Sequence, residues 1–239
     1  MPEFDFNDRL LGLGSEIHVL FEERLRFIER LYDATVAPLE GRKRLIEANE
    51  EPYRDTRNPA DYDGPAFELE WSEADSFEKT IGFLCLAVLN NSMENFVRLF
   101  VAREFRVETK TELSRLLKEM KVPKVGHILQ YLTLLERADH SKFSWGSSPV
   151  AREVIEDITF TRNVFIHDPQ LGEGNVTQTT QHFKSNPRSA FAHLIWGDIY
   201  GDDFKDLPND LVVARENLFP AIDTVRRFCA YLESCRTAW

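Results

Sequence analysis

Apolar residues recur at three- and four-residue steps over most of this chain. Leu10, Leu13, Ile17, Leu20, Phe21, Leu25, Ile28 and Leu31 form one such stripe across residues 8–36. The stripe predicts an amphipathic helix that ends before Pro38. From Glu47 to Pro65 the chain is polar and carries Pro52, Pro59, Gly64 and Pro65, which reads as a loop. A second long helix is expected from about Ser76 to Phe105, with Ser76 or Asp75 as its cap. Its surface is strongly apolar through Ile81, Leu84, Cys85, Val88, Leu89, Met93, Phe96, Val97 and Phe100. Asn90, Asn91, Glu94 and Asn95 interrupt that surface with polar groups.

Thr109 can cap a third helix, which stalls at Lys121-Val122-Pro123, and residues 124–138 form a fourth amphipathic segment. A turn-rich link runs from Asp139 to Pro149. Pro149 opens a fifth helix that ends near His167, because Pro169 disfavours helical geometry at Asp168. Residues 169–208 show little period. Asn175 to Phe183 fits a short strand pair there, and Pro187 to Trp196 a short helix. A last helix is expected over 209–234, with Pro220 as a kink. The sum is an all-α helical bundle forming one domain over residues 1–239. It has a helical N-terminal extension (about 1–70) and an irregular insertion (about 169–208) before its last helix.

Composition narrows this picture. A chain of 239 residues with 43% hydrophobic content supports one large core. No apolar run approaches the roughly 20 residues of a membrane helix, and the acidic start Met1 to Asn7 lacks a basic n-region. Cys85, Cys229 and Cys235 are odd in number and unpatterned. The expectation is a soluble, reduced, cytoplasmic protein with no membrane partner.

A net charge of −11 excludes attraction of the whole surface to nucleic acid as the main binding term. A local basic patch stays open. Arg98, Arg103, Arg106, Lys110, Arg115, Lys118, Lys121 and Lys124 outnumber the acids of their stretch. Their plain reading is a solvated helix face with i,i+4 pairs. Their functional reading is a basic groove, joined by Arg226, Arg227 and Arg236.

Several chemistries lack their residues. The chain has no phosphate loop of the G-x-x-x-x-G-K type, no dinucleotide fingerprint and no G-x-S-x-G elbow. No His/Cys set has zinc spacing, so no metal and no cofactor is expected. Cys229 and Cys235 read as core residues of the last helix.

One segment stands apart. At about 100° per residue, Arg162 falls within the apolar stripe of Ile155, Ile158, Phe165 and Ile166. A guanidinium there must face a partner, a cleft or an interface, because unpaired burial is costly. His167 lies on the face of Asn163, about 7.5 Å along the axis from Arg162, so the two side chains can converge on one phosphate. A phosphodiester in RNA can be cleaved by its own 2′-hydroxyl without a metal. Histidine titrates near neutral pH and can move the protons, and arginine binds phosphate oxygens as a planar, permanently charged fork. Asn163 can orient His167 or bind a phosphate oxygen.

Arg162-Asn163-Val164-Phe165-Ile166-His167 resembles the Arg-x4-His motif of the HEPN domain family, where a polar residue directly follows the Arg and the motif closes a helix. The polar Glu94-Asn95 in an apolar helix also resembles family members. The resemblance implies a compact helical bundle and a metal-independent endoribonuclease in a toxin, toxin–antitoxin, stress or phage-defence role. It implies catalysis by Arg162 and His167, with Asn163 supporting and Glu94 a further candidate. It also implies RNA as substrate, a homodimer with the site at its interface, and an antitoxin or regulatory protein as a partner. The resemblance covers residues 76–168 and the last helix. A second match, Arg188-Ser189-Ala190-Phe191-Ala192-His193, sits in the irregular insertion and opens rather than closes a helix.

Bland readings stand beside this one. Arg162 can be a structural salt bridge to a neighbouring helix, and His167 a C-terminal His favoured by the helix dipole. Three functions follow: the ribonuclease, a non-catalytic HEPN-like module binding a protein or nucleotide, and another α-bundle enzyme using Glu94, His127 or His167 as an acid–base pair. The first expects Arg162 and His167 of two subunits to converge. The second expects each to be satisfied locally, and the third a closed pocket within one subunit.

Overall fold

The computed structural model describes residues 17–57, 64–124, 126–167, 190–193 and 210–236. The fold is all-α. Among the described residues the helices are α1 (Ile17–Glu47), α2 (Glu68–Glu104), α3 (Lys110–Glu119), α4 (His127–Arg137), α5 (Arg152–His167) and α6 (Arg215–Ser234). A 3-10 turn covers Trp145–Ser147. Two-residue strands, β1 (Ala192–His193) and β2 (Asp210–Leu211), pair antiparallel with Ala192 opposite Leu211.

α1 and α2 form a long antiparallel hairpin. Phe21 meets Phe96 with ring centroids 4.9 Å apart, and at the other end Lys43 pairs with Asp75 and Glu78. Ile17, Phe21, Leu25, Ile28, Tyr32 and Val36 are the buried stripe of α1. They join α2, α4, α5 and α6 in one hydrophobic core. Arg226 of α6 binds Glu22 and Glu29 of α1 and Asp223 of its own helix. Arg103 ties α2 to Glu233 of α6 at 2.7 Å. Thr109 caps α3 as its sequence predicts, in a reciprocal box with Glu112.

Boundaries differ from the sequence expectation where packing overrides local signals. α1 does not end before Pro38; it carries Pro38 in its interior and continues to Glu47. One lost backbone bond is outweighed by a turn that is clamped to α2 through Lys43. α2 starts at Glu68 rather than Ser76, and Asp75 acts as an ion-pair partner of Lys43 and Lys79 instead of a cap. α5 begins at Arg152, after Pro149. Ala192 and His193 are in a strand, not the helix expected over 187–196. α6 begins at Arg215, because Asp210 and Leu211 are engaged in that strand pair. Asn217 then holds the helix start, accepting from the Ala214 N–H and donating to Val212 O. The strand pair expected over 175–183 lies outside the described residues.

The stripe assignments also need correction. Leu20, Leu31, Leu84 and Val88 fit apolar periodicity yet are exposed, whereas Cys85, Leu89, Met93, Phe96, Val97 and Phe100 are buried as expected. Among the described residues no helix is long and apolar enough to cross a membrane.

All three cysteines are buried and free. Burial pushes the Cys85 thiol up to about 11, and pushes Cys229 up as well, with Glu22 and Glu233 adding to the shift. The thiolate is the reactive form, and for Cys85 its fraction near neutral pH falls about 100-fold. We therefore expect Cys85 and Cys229 to resist a thiol reagent in the folded protein and to react rapidly once denatured. Fast labelling of either in native protein, read by mass spectrometry, contradicts that expectation.

Candidate active site

The motif helix packs on the polar interruption of α2. Ile155 and Ile158 are buried, as their stripe requires, and Thr161 follows them into the interior. Arg162 sits beside that stripe, half-buried. Its Nη2 donates to Asn91 Oδ1 of α2 at 3.1 Å and its Nη1 to Asn163 Oδ1 at 2.8 Å. Its Nε is buried with no hydrogen-bond partner among the described residues. One turn earlier, the Thr159 hydroxyl donates to Asn90 Oδ1 at 3.1 Å, and Asn90 is itself buried.

Both partners of Arg162 are neutral amides. Among the described residues no carboxylate pairs with it, and the contacts it makes there are to amide oxygens. The amide oxygens fix its plane and leave its charge uncompensated by these contacts. That is the electrostatic state an anion-binding arginine needs. Asn163 turns back on Arg162 rather than toward the helix end.

Glu94 lies one turn beyond Asn91 on α2. Its Oε1 meets His127 Nδ1 of α4 at 2.9 Å. His127 is exposed, at 69% of its side chain, and Glu94 is largely covered, at 25%. The His127 ring tilts against Tyr131, and burial pushes the Tyr131 phenol up, opposed by Arg98 and reinforced by Glu94. Arg98 donates to Asn95 Oδ1 at 2.7 Å, while its own Nε is buried without a partner among the described residues.

Asn91, Glu94, Asn95 and Arg98 thus share one face of α2, at steps of three and four residues. They receive Arg162 from α5 and His127 from α4. The same face continues toward the N-terminus as Val88, Leu84 and Phe77, all exposed. Of the sequence-predicted residues, Arg162 and Asn163 are in contact, and Glu94 joins His127. His167 closes α5, and its side chain lies outside the described residues. Arg188 of the second match is outside them too.

Residues that sequence reading left without a role are Thr159, which anchors Asn90, and Asp157, whose buried Oδ2 accepts the Ala190 N–H at 2.9 Å. The signal for Asn90 and Asn91 was present, since amides in an apolar helix need partners. Arg226, a candidate for the basic groove, is committed to three carboxylates and offers little charge to a ligand. Among the described residues no group of three or more His, Cys, Asp or Glu side chains is placed to hold a metal ion. No family model, curated protein or solved structure matches this chain.

Proposed function

We propose that this protein is a metal-independent endoribonuclease with a HEPN-like site, acting in a toxin, stress or phage-defence setting in the cytoplasm. The observation that carries the reading is Arg162: held by two amides, paired with no carboxylate among the described residues, and placed on the helix that His167 closes. In this reading Arg162 binds the scissile phosphate and stabilises charge developing on it. His167 moves the proton of the 2′-hydroxyl or of the leaving oxygen. Asn163 orients Arg162, and Glu94 acts with His127 at the edge of the site.

A homodimer with the site at its interface fits the exposed run Phe77, Leu84 and Val88, which leads directly to Asn91. An antitoxin or regulatory protein would cover the same face. The second reading is a non-catalytic module that binds a protein or nucleotide partner. It is favoured by the fact that Arg162 already finds two local partners.

The deciding experiment is cleavage of mixed cellular RNA by purified protein in EDTA, beside Arg162→Ala and His167→Ala. The ribonuclease reading expects EDTA-resistant cleavage that each substitution lowers by at least about 100-fold. Absence of cleavage by the folded wild-type protein turns the assignment to the interaction module.

A further inference from the structure

A second site lies at the far end of the α1–α2 hairpin, about 30 Å along α2 from Asn91 at 1.5 Å per residue. The end of α1, residues 49–55 and the stretch from Pro65 to Trp71 line a cleft of about 530 Å³, within the range of small-molecule sites. Ile46, Glu47, Tyr53, Asp55, Glu68 and Trp71 are among the residues that line it.

The lining has one electrostatic character. Trp71 and Tyr53 are half-buried rings. The Trp71 indole N–H donates to Glu47 Oε1 at 2.9 Å, which fixes the indole and the carboxylate against each other. Tyr53 is braced edge-on by Phe67, with centroids 5.4 Å apart. Glu68 is exposed at the rim and has no ion pair among the described residues. Two nearby cations, Arg57 and Lys43, are committed elsewhere. Arg57 grips Asp55 through two bonds of 2.9 Å and holds that carboxyl below its usual range. Lys43 is held by Asp75 and Glu78.

Lys43 also shows what the indole accepts, since its ammonium rests 5.4 Å from the Trp71 ring centroid. Aromatic faces attract cations through the ring quadrupole, most strongly at tryptophan. Aromatic rings beside carboxylates, with no cation among the described lining residues, repel anions and favour organic cations. The volume exceeds what a metal ion or water needs. We propose that this cleft binds an alkylammonium cation, seated against Trp71 and Tyr53 and neutralised by Glu47 and Glu68. The chemistry is shared by a free polyamine and by the lysine side chain of a peptide.

The test is titration of the full-length protein with spermidine and, separately, with N-acetyl-lysine amide, following tryptophan fluorescence, with Trp71→Phe to assign the signal. 1,4-Butanediol is the neutral control. Glu47→Gln/Glu68→Gln keeps the acceptor for the indole N–H while removing both charges. Glu136→Gln, on the exposed face of α4, controls for net charge. The proposal expects a saturable change with at least one ammonium probe, absent in Trp71→Phe, weakened at least fivefold in the double variant and unchanged in Glu136→Gln. Spermidine alone identifies a free polyamine, and the lysine amide alone a side chain. No saturable change with either probe, an equal response to butanediol, or undiminished affinity in a folded double variant overturns it.

Discussion

On the proposed ribonuclease reading, Arg162→Ala is expected to lower RNA cleavage by roughly 10²–10³-fold, as when a donor aimed at transition-state charge is removed from an active site. The protein should remain folded. Arg162 is only half-buried, and its partners Asn91 and Asn163 can turn to water when the guanidinium is gone. Thermal stability should therefore shift little while activity collapses.

Arg162→Lys separates charge from shape. Lysine keeps the positive charge but cannot bridge two amides while presenting a planar fork to phosphate. An intermediate rate is expected, with salt dependence retained. Asn91→Ala leaves the charge and removes one of the two supports, so a smaller loss of about tenfold is expected from imperfect positioning. The readouts are initial cleavage rate and melting temperature for each variant. Full activity in Arg162→Ala would remove Arg162 from the site.

Gly82→Ala is expected to destabilise the protein strongly, although the same substitution in a free helix stabilises. A Cβ at Gly82 would stand 1.8 Å from the Val213 carbonyl oxygen and 2.8 Å from its carbonyl carbon. Both are backbone atoms, so no rotamer change relieves the clash. The segment from Val212 to Ala214 would have to move, and with it the bond from Val212 N–H to Phe191 O at 3.0 Å and the start of α6. Overpacking of this kind costs about 1–3 kcal/mol, and a backbone contact belongs at the upper end. The gain in helix propensity, about 1 kcal/mol, offsets only part of it.

Gly41→Ala makes the comparison internal. Gly41 is also inside a long helix, but a Cβ there meets nothing within 4 Å. It should stabilise by up to about 1 kcal/mol, raising the melting temperature by about 2–4 °C for a chain of this size. Gly82→Ala should lower it. Two variants that melt alike would show that the contact between α2 and the Val213 backbone is not formed in solution.

Legibility followed the range of the interaction. The Thr109 cap was readable because the capping box spans four residues of sequence. The buried face of α2 was mostly readable, because nine apolar positions at helical spacing leave few alternatives. Pro38 misled because a local helix-breaking preference is weaker than the packing of a full turn of α1 on α2. Leu84 and Val88 misled because periodicity places a residue on a face without saying whether anything covers that face. For the site, the amides Asn90 and Asn91 were visible as anomalies and Arg162 as a misplaced charge. That these anomalies satisfy one another was not visible, since Asn91 and Arg162 are 71 positions apart.

Sequence by itself determined the helical class, the order of the six described helices, the cysteine core and the polar residues that break apolar surfaces. All of these depend on composition and short-range spacing. Tertiary structure alone decided which helix faces meet, that among the described residues Arg162 is held by amides and Arg226 by three carboxylates while Glu68 has no ion pair, and that a Cβ would strike backbone at Gly82 and meet nothing at Gly41. Those outcomes depend on what lies across the gap from each residue, and a one-dimensional pattern carries no information about the atoms on the other side.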